Sequence, residues 1–398
     1  MNPEVKADEA AFLMQTYKRA DVEFVRGEGA LLFDDEGNEY IDFLGGISVT
    51  SVGHCHPEVV AAVRDQAGRL MHTSNLFYTA PMVALARRLS TGSLGGKVFF
   101  CNSGTEANEC AIKIARKSAR ARGVEHPEIV SFEGDFHGRS YGSLSATPGL
   151  AANPDFGPML PGFRSVGFDD ADALREAVNP NTAAVLIEPI QGESGVFPVS
   201  DQTLLAARAA CDEVGALLIF DEVQTGIGRT GSLWAYEQGP VRPDVITTAK
   251  ALGGGVAIGA CIGNPATGEV LTAGDHGSTF AAGPVASSAA LAVLDLVDDP
   301  DMLRRIRSLG TRLSGQIAKL GGVVEIRGRG LMIGVRLEEG INSSDVSAQL
   351  LKRGLVVNAP RSDSLRLLPP FVLTDEQAEK AVALIEETLA GYHPVESK

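Results

Sequence analysis

Residues 217–231, LLIFDEVQTGIGRTG, decide which fold this chain is expected to adopt. The first four residues are apolar without alternation, a pattern typical of a strand buried on both faces of a parallel sheet. The run ends in Asp221 and Glu222, and an unpaired buried carboxylate is costly. Because ligands bind at the carboxyl ends of strands in open α/β sheets, we predict that Asp221 holds a cationic ring nitrogen, with a cap or an ion pair as the alternative. For Glu222 we expect a structural ion pair or hydrogen bond.

Short apolar runs like this one recur along much of the chain. From about residue 57, short apolar runs alternate with amphipathic helix candidates, which predicts an α/β fold with a mostly parallel sheet covered by helices. After the breaker DDPD at 298–301 the order changes to a long helix followed by mixed strands and helices, which predicts a smaller α+β domain. The expected parts are an N-terminal segment that packs with the small domain (1–50), a large cofactor-binding domain (51–297) and a C-terminal small domain (298–398).

Composition and charge narrow the class of partner. The net charge of −15 at pH 7 disfavours nucleic acid and anionic membranes. No apolar run approaches the roughly 20 residues that a membrane span needs. Five cysteines without a C-x-x-C pair indicate a reducing compartment, so we expect a cytoplasmic protein. His54-Cys55-His56 is predicted to be a structured loop and not a metal site, because adjacent side chains diverge.

Ser103-Gly104-Thr105-Glu106 lies between a predicted strand and a predicted helix. The pattern Ser-x-x-Glu is a capping box that needs no ligand. The same residues would also make a phosphate cradle, because free backbone N–H groups and two hydroxyls converge where glycine allows close approach. The residues alone leave both interpretations open.

Lys250 directly follows another apolar run, DVITTA. A surface lysine at the end of a strand is the simpler interpretation. The functional one is a lysine that forms a Schiff base, with its pKa lowered by partial desolvation. Together, Lys250, the Ser103 segment and Asp221 fit pyridoxal 5′-phosphate, which needs a lysine for its aldehyde, a cradle for its phosphate and a carboxylate for its ring nitrogen.

The sequence as a whole resembles a known family. It is similar to the class III (subgroup II) aminotransferases, pyridoxal-phosphate enzymes of fold type I, from about Tyr17 to Glu376. The combination and order of the matching stretches are specific, although each alone is weak to moderate. They are FVRGEGALLFDDEGNEYIDFLGGI, GHCHPEVV, HTSNLFYT, NSGTEANECAIKIARK, FHGRSYG, EPIQGESGV, IFDEVQTGIGRTG, AKALGGG, HGSTFAAGPVA and LRLLPP.

The resemblance implies a set of cofactor contacts. Lys250 would carry the cofactor, and Thr279 would reach the phosphate from a neighbouring subunit, so the resemblance implies a homodimer with shared active sites. Without the resemblance, Phe136 would be interpreted as a core residue. The implied cofactor-binding residues are Ser103, Gly104, Thr105, Phe136, His137, Asp221, Val223, Gln224, Lys250 and Thr279.

The resemblance also implies substrate contacts. Arg139 would take a substrate carboxylate, Arg366 the α-carboxylate of glutamate, and Glu193 would pair with Arg366 when the longer amino donor is bound. Ile47 replaces an aromatic residue of ornithine-specific members, which disfavours free ornithine. The implied substrate-binding residues are Tyr17, Ile47, Arg139, Glu193, Ser278 and Arg366.

The implied reaction is a ping-pong transamination from the terminal amino group of N2-acetylornithine to 2-oxoglutarate. The products would be N-acetylglutamate 5-semialdehyde and glutamate, in arginine biosynthesis. The alternative amino donors are succinylornithine, 4-aminobutyrate, ornithine and an acyl-lysine or diaminopimelate intermediate. An alternative of another class is a non-catalytic regulatory protein that binds the cofactor.

Overall fold

The computed structural model describes residues 2–392. The chain begins with a helix and a small antiparallel meander. None of the residues of this first helix is buried, so it has no apolar face packed within the chain. These elements are α1 (Pro3–Phe12), β1 (Phe24–Glu28), β2 (Leu31–Asp34) and β3 (Glu39–Asp42).

The middle of the chain forms the large sheet and the helices around it. Its elements are α2 (Gly45–Ser48), α3 (Pro57–Ala67), α4 (Ala80–Thr91), β4 (Val98–Cys101), α5 (Gly104–Ala121), β5 (Glu128–Phe132), α6 (Tyr141–Ser145), α7 (Pro148–Ala151), β6 (Phe163–Val166), α8 (Ala171–Ala177), β7 (Thr182–Ile187), β8 (Ile190–Gln191), β9 (Phe197–Pro198), α9 (Asp201–Val214), β10 (Leu217–Asp221), β11 (Val245–Thr248), β12 (Gly259–Gly263) and α10 (Pro284–Val297).

Seven of these strands pair in the order β4-β12-β11-β10-β7-β5-β6. Only β12 runs against its neighbours β11 and β4, which confirms the predicted α/β fold with a mostly parallel sheet. Every residue of β7 and β10 is buried. Along β10, Leu218 and Phe220 join one apolar cluster, and Leu217 and Ile219 join another. The uninterrupted apolar run therefore reflects a strand with helices packed on both faces.

The C-terminal part builds a second, antiparallel sheet. Asp299, in the predicted breaker, caps the first helix of this part by accepting hydrogen bonds from the N–H groups of Asp301 and Met302. The elements are α11 (Pro300–Ile317), β13 (Val323–Arg329), β14 (Met332–Leu337), α12 (Ser343–Lys352), β15 (Leu355–Val356), β16 (Asn358–Arg361), β17 (Ser364–Leu367) and α13 (Asp375–Ala390).

Strand pairing links the two ends of the chain. Four of the C-terminal strands pair in the order β13-β14-β17-β16, whereas β15 pairs in parallel with β3 and completes the N-terminal sheet. This contact supports an N-terminal segment that packs with the small domain, while the bounds 1–50, 51–297 and 298–398 stay predictions. Among residues 2–392, no helix is long and apolar enough to cross a membrane.

Candidate active site

A cavity of about 430 Å³ opens at the carboxyl ends of the parallel strands. Its wall is built from the segments that directly follow β4, β5, β7, β10 and β11, so the sheet brings together residues that are far apart in the sequence. Eleven of the predicted site residues line it: Ser103, Gly104, Thr105, Phe136, His137, Arg139, Glu193, Asp221, Val223, Gln224 and Lys250.

At the Ser103 segment the structure contains both a helix cap and an open cradle that faces the cavity. Ser103 is the N-cap of α5, and its Oγ accepts a hydrogen bond from the N–H of Glu106 at 3.3 Å. The Glu106 carboxylate accepts from the N–H of Asn102 at 2.8 Å, one residue before the N-cap, so only the Ser103 half of the predicted capping box forms. The same helix N-terminus faces the cavity. A Cβ on Gly104 would lie 2.6 Å from Cγ1 of Val223, so only glycine keeps the cradle open.

Asp221 has partners within the chain. Its Oδ2 accepts a hydrogen bond from Nδ2 of Asn108 at 2.7 Å and lies 2.8 Å from Nδ1 of His137. Its Oδ1 accepts from the N–H of Val223 at 3.0 Å. The ion pair offered as the alternative for Asp221 therefore exists, and it leaves the carboxylate on the cavity wall.

His137 carries the positive charge opposite Asp221. Burial alone would lower the pKa of this imidazole, but the adjacent Asp135 and Asp221 carboxylates, the second of which is hydrogen-bonded to it, outweigh burial and raise the pKa to about 10. Nε2 lies 3.4 Å from Oδ2 of Asp135, close enough for an ion pair but without the geometry of a hydrogen bond. At neutral pH, His137 is therefore a buried cation between two carboxylates.

Lys250 lies on the cavity wall at the start of a short 3₁₀ turn, Lys250–Gly253. Burial lowers the pKa of its ammonium, and the positive charge of Arg366 lowers it further, while Glu193 acts in the opposite direction. A lysine in such an environment provides more free amine at neutral pH than an exposed one.

Glu193 and Arg366 form an ion pair next to the cavity. Nη1 of Arg366 donates to Oε1 of Glu193 at 2.6 Å and to Oε1 of Gln224 at 3.1 Å. Burial would raise the pKa of Glu193, but the Arg366 charge and hydrogen bond outweigh it and lower the pKa. Arg366 is fully buried, and its Nη2 and Nε both donate to Oδ1 of Asn358.

Five predicted residues are not among those that line the cavity. Arg366 lies behind Glu193 and Gln224, and Ile47 packs on an apolar cluster behind the wall. Oγ of Ser278 accepts a hydrogen bond from Nδ2 of Asn102, which does line the cavity. Tyr17 is 74% exposed and Thr279 is also exposed, and neither is among the residues that line the cavity.

Sequence reasoning missed several wall and supporting residues. Glu188 directly follows the apolar strand β7, much as Asp221 ends the apolar strand β10. A carboxylate at the end of an apolar run is therefore the signal that could have identified Glu188. Its carboxylate accepts hydrogen bonds from the N–H groups of Phe136 and Gly192. Burial, with the charges of Asp135 and Asp221, raises the pKa of Glu188 to about 8. Asn108 gave no signal, because a polar residue on a helix is ordinary until its partner is known.

Glu222 has a structural role. It is fully buried and accepts hydrogen bonds from the N–H groups of Ala235 at 2.9 Å and Tyr236 at 2.8 Å, and from Oγ1 of Thr225 at 2.7 Å. The hydrogen-bonding role expected from the sequence is therefore the one it fills.

The residues of this cavity fit pyridoxal 5′-phosphate. The Gly104 cradle leaves room at a helix N-terminus, where phosphate binds well. A lysine with a lowered pKa and a carboxylate held by His137 and Asn108 lie on the same wall. These are the three groups that the cofactor requires.

Comparisons with known proteins cover nearly the whole chain. A family model described as Aminotransferase class-III matches residues 14–389. An acetylornithine aminotransferase of Methanocaldococcus jannaschii is 43% identical over 384 residues, covering 95% of this chain and 96% of the relative. One of Methanopyrus kandleri is 45% identical over 381 residues, covering 94% and 96%.

Solved structures are also similar. An ornithine aminotransferase from Toxoplasma gondii ME49 superposes with a TM-score of 0.93 at 35% identity, covering 98% of this chain and 94% of that one. An N-acetylornithine aminotransferase from Stenotrophomonas maltophilia K279a superposes with a TM-score of 0.84 at 34% identity, covering 97% and 98%.

Proposed function

Because the chain belongs to the class-III aminotransferase family, we propose that it transfers the terminal amino group of N2-acetylornithine to 2-oxoglutarate. The products are N-acetylglutamate 5-semialdehyde and glutamate, as in arginine biosynthesis. The names of relatives at 43% and 45% identity support this donor. The observation that carries the proposal is one cavity that joins Lys250 and Asp221 with the Glu193–Arg366 pair.

Pyridoxal 5′-phosphate, when bound, supplies an aldehyde that takes the amino group and a protonated ring that stabilises negative charge on the substrate carbon. Ser103, Gly104 and Thr105 would hold its phosphate at the N-terminus of α5. Phe136 and Val223 would flank its ring, and Gln224 would bond its phenolic oxygen. Asp221 would keep the ring nitrogen protonated.

Lys250 moves the proton. Burial lowers its pKa and so increases the fraction of free amine, and the Nζ lone pair takes the proton from the substrate carbon as general base. The same Nζ then holds that proton as an ammonium and, as general acid, would deliver it to the carbon that was the aldehyde carbon (C4′) of the bound cofactor. His137 and Asn108 keep Asp221 oriented during both steps, because each contacts Oδ2.

Glu193 and Arg366 serve two substrates in turn. While the amino donor is bound, Glu193 neutralises Arg366, and the proposed carboxylate contact for the donor is Arg139. When glutamate or 2-oxoglutarate enters, Glu193 releases Arg366, whose planar fork suits the α-carboxylate. Tyr17, Ile47 and Ser278 complete the proposed substrate pocket.

A homodimer with shared active sites is part of the proposal. Several large apolar side chains are exposed on the single chain, and exposed apolar patches mark surfaces that a partner covers. They include Phe12, Met14, Leu76, Tyr78 and Phe280. Phe280 adjoins Thr279, the residue proposed to serve the neighbouring site. A cytoplasmic location is supported by five free cysteines.

Lys250→Ala tests the chemistry. It should abolish both turnover and the visible absorption of the cofactor-loaded protein, whereas the exposed Lys380→Ala should change neither. Wild-type turnover by Lys250→Ala would refute the assignment.

A donor panel tests the specificity. The values of kcat/KM for N2-acetylornithine, succinylornithine, ornithine and 4-aminobutyrate, each with 2-oxoglutarate, should be highest for N2-acetylornithine. A clear preference for 4-aminobutyrate would replace the proposed donor. A protein that binds the cofactor but turns over no donor would instead be regulatory.

A further inference from the structure

The short element α2 (Gly45–Ser48) is strained. Because all four of its residues have positive φ angles, we call it the left-handed turn. Its four residues have φ angles of 55°, 61°, 63° and 66°. Glycine adopts this region freely, but an L residue there costs about 1–2 kcal/mol, and a β-branched residue such as Ile47 is a clear outlier. Such strain persists only where surrounding contacts hold it, and it concentrates at functional sites.

Asp42 holds the start of the left-handed turn. Its Oδ1 accepts hydrogen bonds from the N–H groups of Leu44 at 2.8 Å and Gly45 at 2.9 Å. Its Oδ2 lies 2.6 Å from Nε2 of His54. The side chain is 1% exposed, so water does not replace a lost contact. Because Asp42 is the last residue of β3, these contacts tie the turn to the N-terminal sheet.

Arg229 holds the end of the turn. Its Nε donates to Oγ of Ser48 at 2.9 Å, and its Nη2 donates to Oγ of Ser51 at 2.7 Å. Its Nη1 donates to the carbonyl oxygens of Leu331 and Pro369. The guanidinium is fully buried, so the turn is fixed at both ends by charged groups without water between them.

The left-handed turn supports one wall of the cavity. Val49, the next residue, lines the cavity. Ile47 packs on an apolar cluster that includes Ile190, three residues before Glu193. Oγ of Ser48 lies 3.5 Å from the carbonyl oxygen of Gln224. A shift of the turn would therefore move the wall beside the Glu193–Arg366 pair.

We propose that Asp42 is a positioning residue for amino-donor selectivity. By holding the left-handed turn, it fixes Val49 in the wall of the donor pocket and Ile47 in the apolar cluster packed behind that wall. The inference rests on the proposed function, in which the amino donor binds in this cavity. Asp42 is not among the residues that line the cavity, and it reaches the left-handed turn through the N–H groups of Leu44 and Gly45.

Asp42→Ala removes both backbone contacts. It should lower the ratio of kcat/KM for N2-acetylornithine to kcat/KM for ornithine by about tenfold, because small differences in pocket shape separate similar donors by factors of this size. Asp42→Asn keeps an acceptor for the N–H groups and should restore the ratio to within about twofold of wild type.

Asp34→Ala is the matched control. Asp34 is also a buried carboxylate that accepts hydrogen bonds from two turn N–H groups, those of Glu36 and Asn38, but in the adjacent hairpin. It should lower Tm as Asp42→Ala does and leave the donor ratio unchanged. Equal shifts of the ratio in Asp34→Ala and Asp42→Ala would overturn the inference.

A second pair of variants covers the case in which Asp42→Ala does not fold. Gly46→Ala strains the left-handed turn directly, since φ is 61° and the new Cβ would lie 3.5 Å from Cβ of Val49. Gly37→Ala places the same strain at φ 86° in open space. Gly46→Ala should shift the donor ratio in the same direction as Asp42→Ala, and Gly37→Ala should not.

A wild-type ratio in Gly46→Ala would contradict the inference. The proposed function is checked separately by wild-type turnover. If the wild type prefers other donors, the ratio is taken between its two best donors, and the comparison of Gly46→Ala with Gly37→Ala remains decisive.

Discussion

Asp221 and Glu222 are adjacent carboxylates with opposite surroundings, because neighbouring side chains at a strand end point to opposite sides. Asp221 faces the cavity and is balanced by His137. Glu222 points away from it and is stabilised by the N–H groups of Ala235 and Tyr236. Asp221 is therefore accessible to a ligand, while Glu222 anchors the loop that contains Ala235 and Tyr236 to the sheet.

Glu222 should make the stability of the fold depend on pH. Burial is the main reason that its pKa rises from 4.5 to about 7. The folded state therefore favours the protonated form, and the resulting stabilisation is fully present below pH 4.5 and lost as pH rises through about 7. Glu222→Gln does not titrate, so the free energy of unfolding of the wild type should fall relative to this variant between pH 5 and 8, by on the order of 3 kcal/mol.

Urea unfolding at one fixed protein concentration measures this difference, since oligomer stability depends on concentration. The comparison uses the change with pH and not the absolute stability, because glutamine also loses one acceptor. Glu386→Gln, the same substitution on an exposed part of α13, should follow the wild-type curve. Parallel curves for Glu222→Gln and the wild type would show that Glu222 does not titrate in this range.

At the level of residues, sequence reasoning found groups whose chemistry is visible locally. Lys250 and Asp221 each end an apolar run, where a charged group is unexpected. The partners of these groups were not predictable, because Asn108 and His137 reach Asp221 only through the fold. The same holds for Asp42 and Arg229, whose role depends on the backbone angles of another segment.

At the level of elements, the N-terminus of α5 combines capping and ligand binding. The Ser103 hydroxyl caps the helix by accepting from the N–H of Glu106 and donates to the Glu106 carboxylate, and the first N–H groups remain available to an anion in the cavity. Val223 packs against Gly104, so the floor of the cradle is formed by the loop after β10.

Gly104→Ala should weaken cofactor binding. The new Cβ would lie 2.6 Å from Cγ1 of Val223, and relief of such overpacking would move the helix N-terminus or Val223. We expect an affinity loss of about tenfold, equivalent to about 1.4 kcal/mol, measured by titrating cofactor-free protein and following absorbance. Gly315→Ala, at an open position of helix α11, should leave this affinity unchanged and stabilise the helix by roughly 1 kcal/mol. Equal affinities for wild type and Gly104→Ala would mean that the phosphate binds elsewhere.

Strands that are buried on both faces of the large sheet were predictable, whereas its edge strand β6 was not. β7 and β10 are uninterrupted apolar runs because helices cover both faces of the sheet. β6 lies at the edge of the same sheet and is only partly buried. Its residues, FRSV, show no apolar run, so no strand could be recognised there from the amino-acid pattern. The left-handed turn was also not foreseen, since Ile47 would not be expected at positive φ.

At the level of the whole molecule, family membership confirms the predicted class of fold and enzyme. A single chain leaves Tyr17 and Thr279, two predicted site residues, exposed and outside the residues that line the cavity. Helix α1 is also without buried residues. These features are explained together if a second copy of the chain covers the surface and supplies Thr279 to the neighbouring cavity.

Mixing two inactive variants tests this shared site. Lys250→Ala removes the reacting lysine, and Thr279→Glu should block phosphate binding by placing a carboxylate beside it. Each homodimer should be inactive. When the two are unfolded and refolded together, half of the dimers should be mixed, and one of their two sites should pair an intact Lys250 with an intact Thr279 from the partner. Activity should then return to about a quarter of the wild-type value.

The mixture distinguishes a shared site from a site within one chain. If Thr279 served the cavity of its own chain, every site in a mixed dimer would lack either Lys250 or Thr279, and no activity would return. Lys250→Ala that is unfolded and refolded alone is the negative control, and it should remain inactive. Size-exclusion chromatography of the mixture gives the fraction that is dimeric, which sets the ceiling on recovered activity. Recovery near that ceiling would require the chain to act as a dimer whose two cavities each need both subunits.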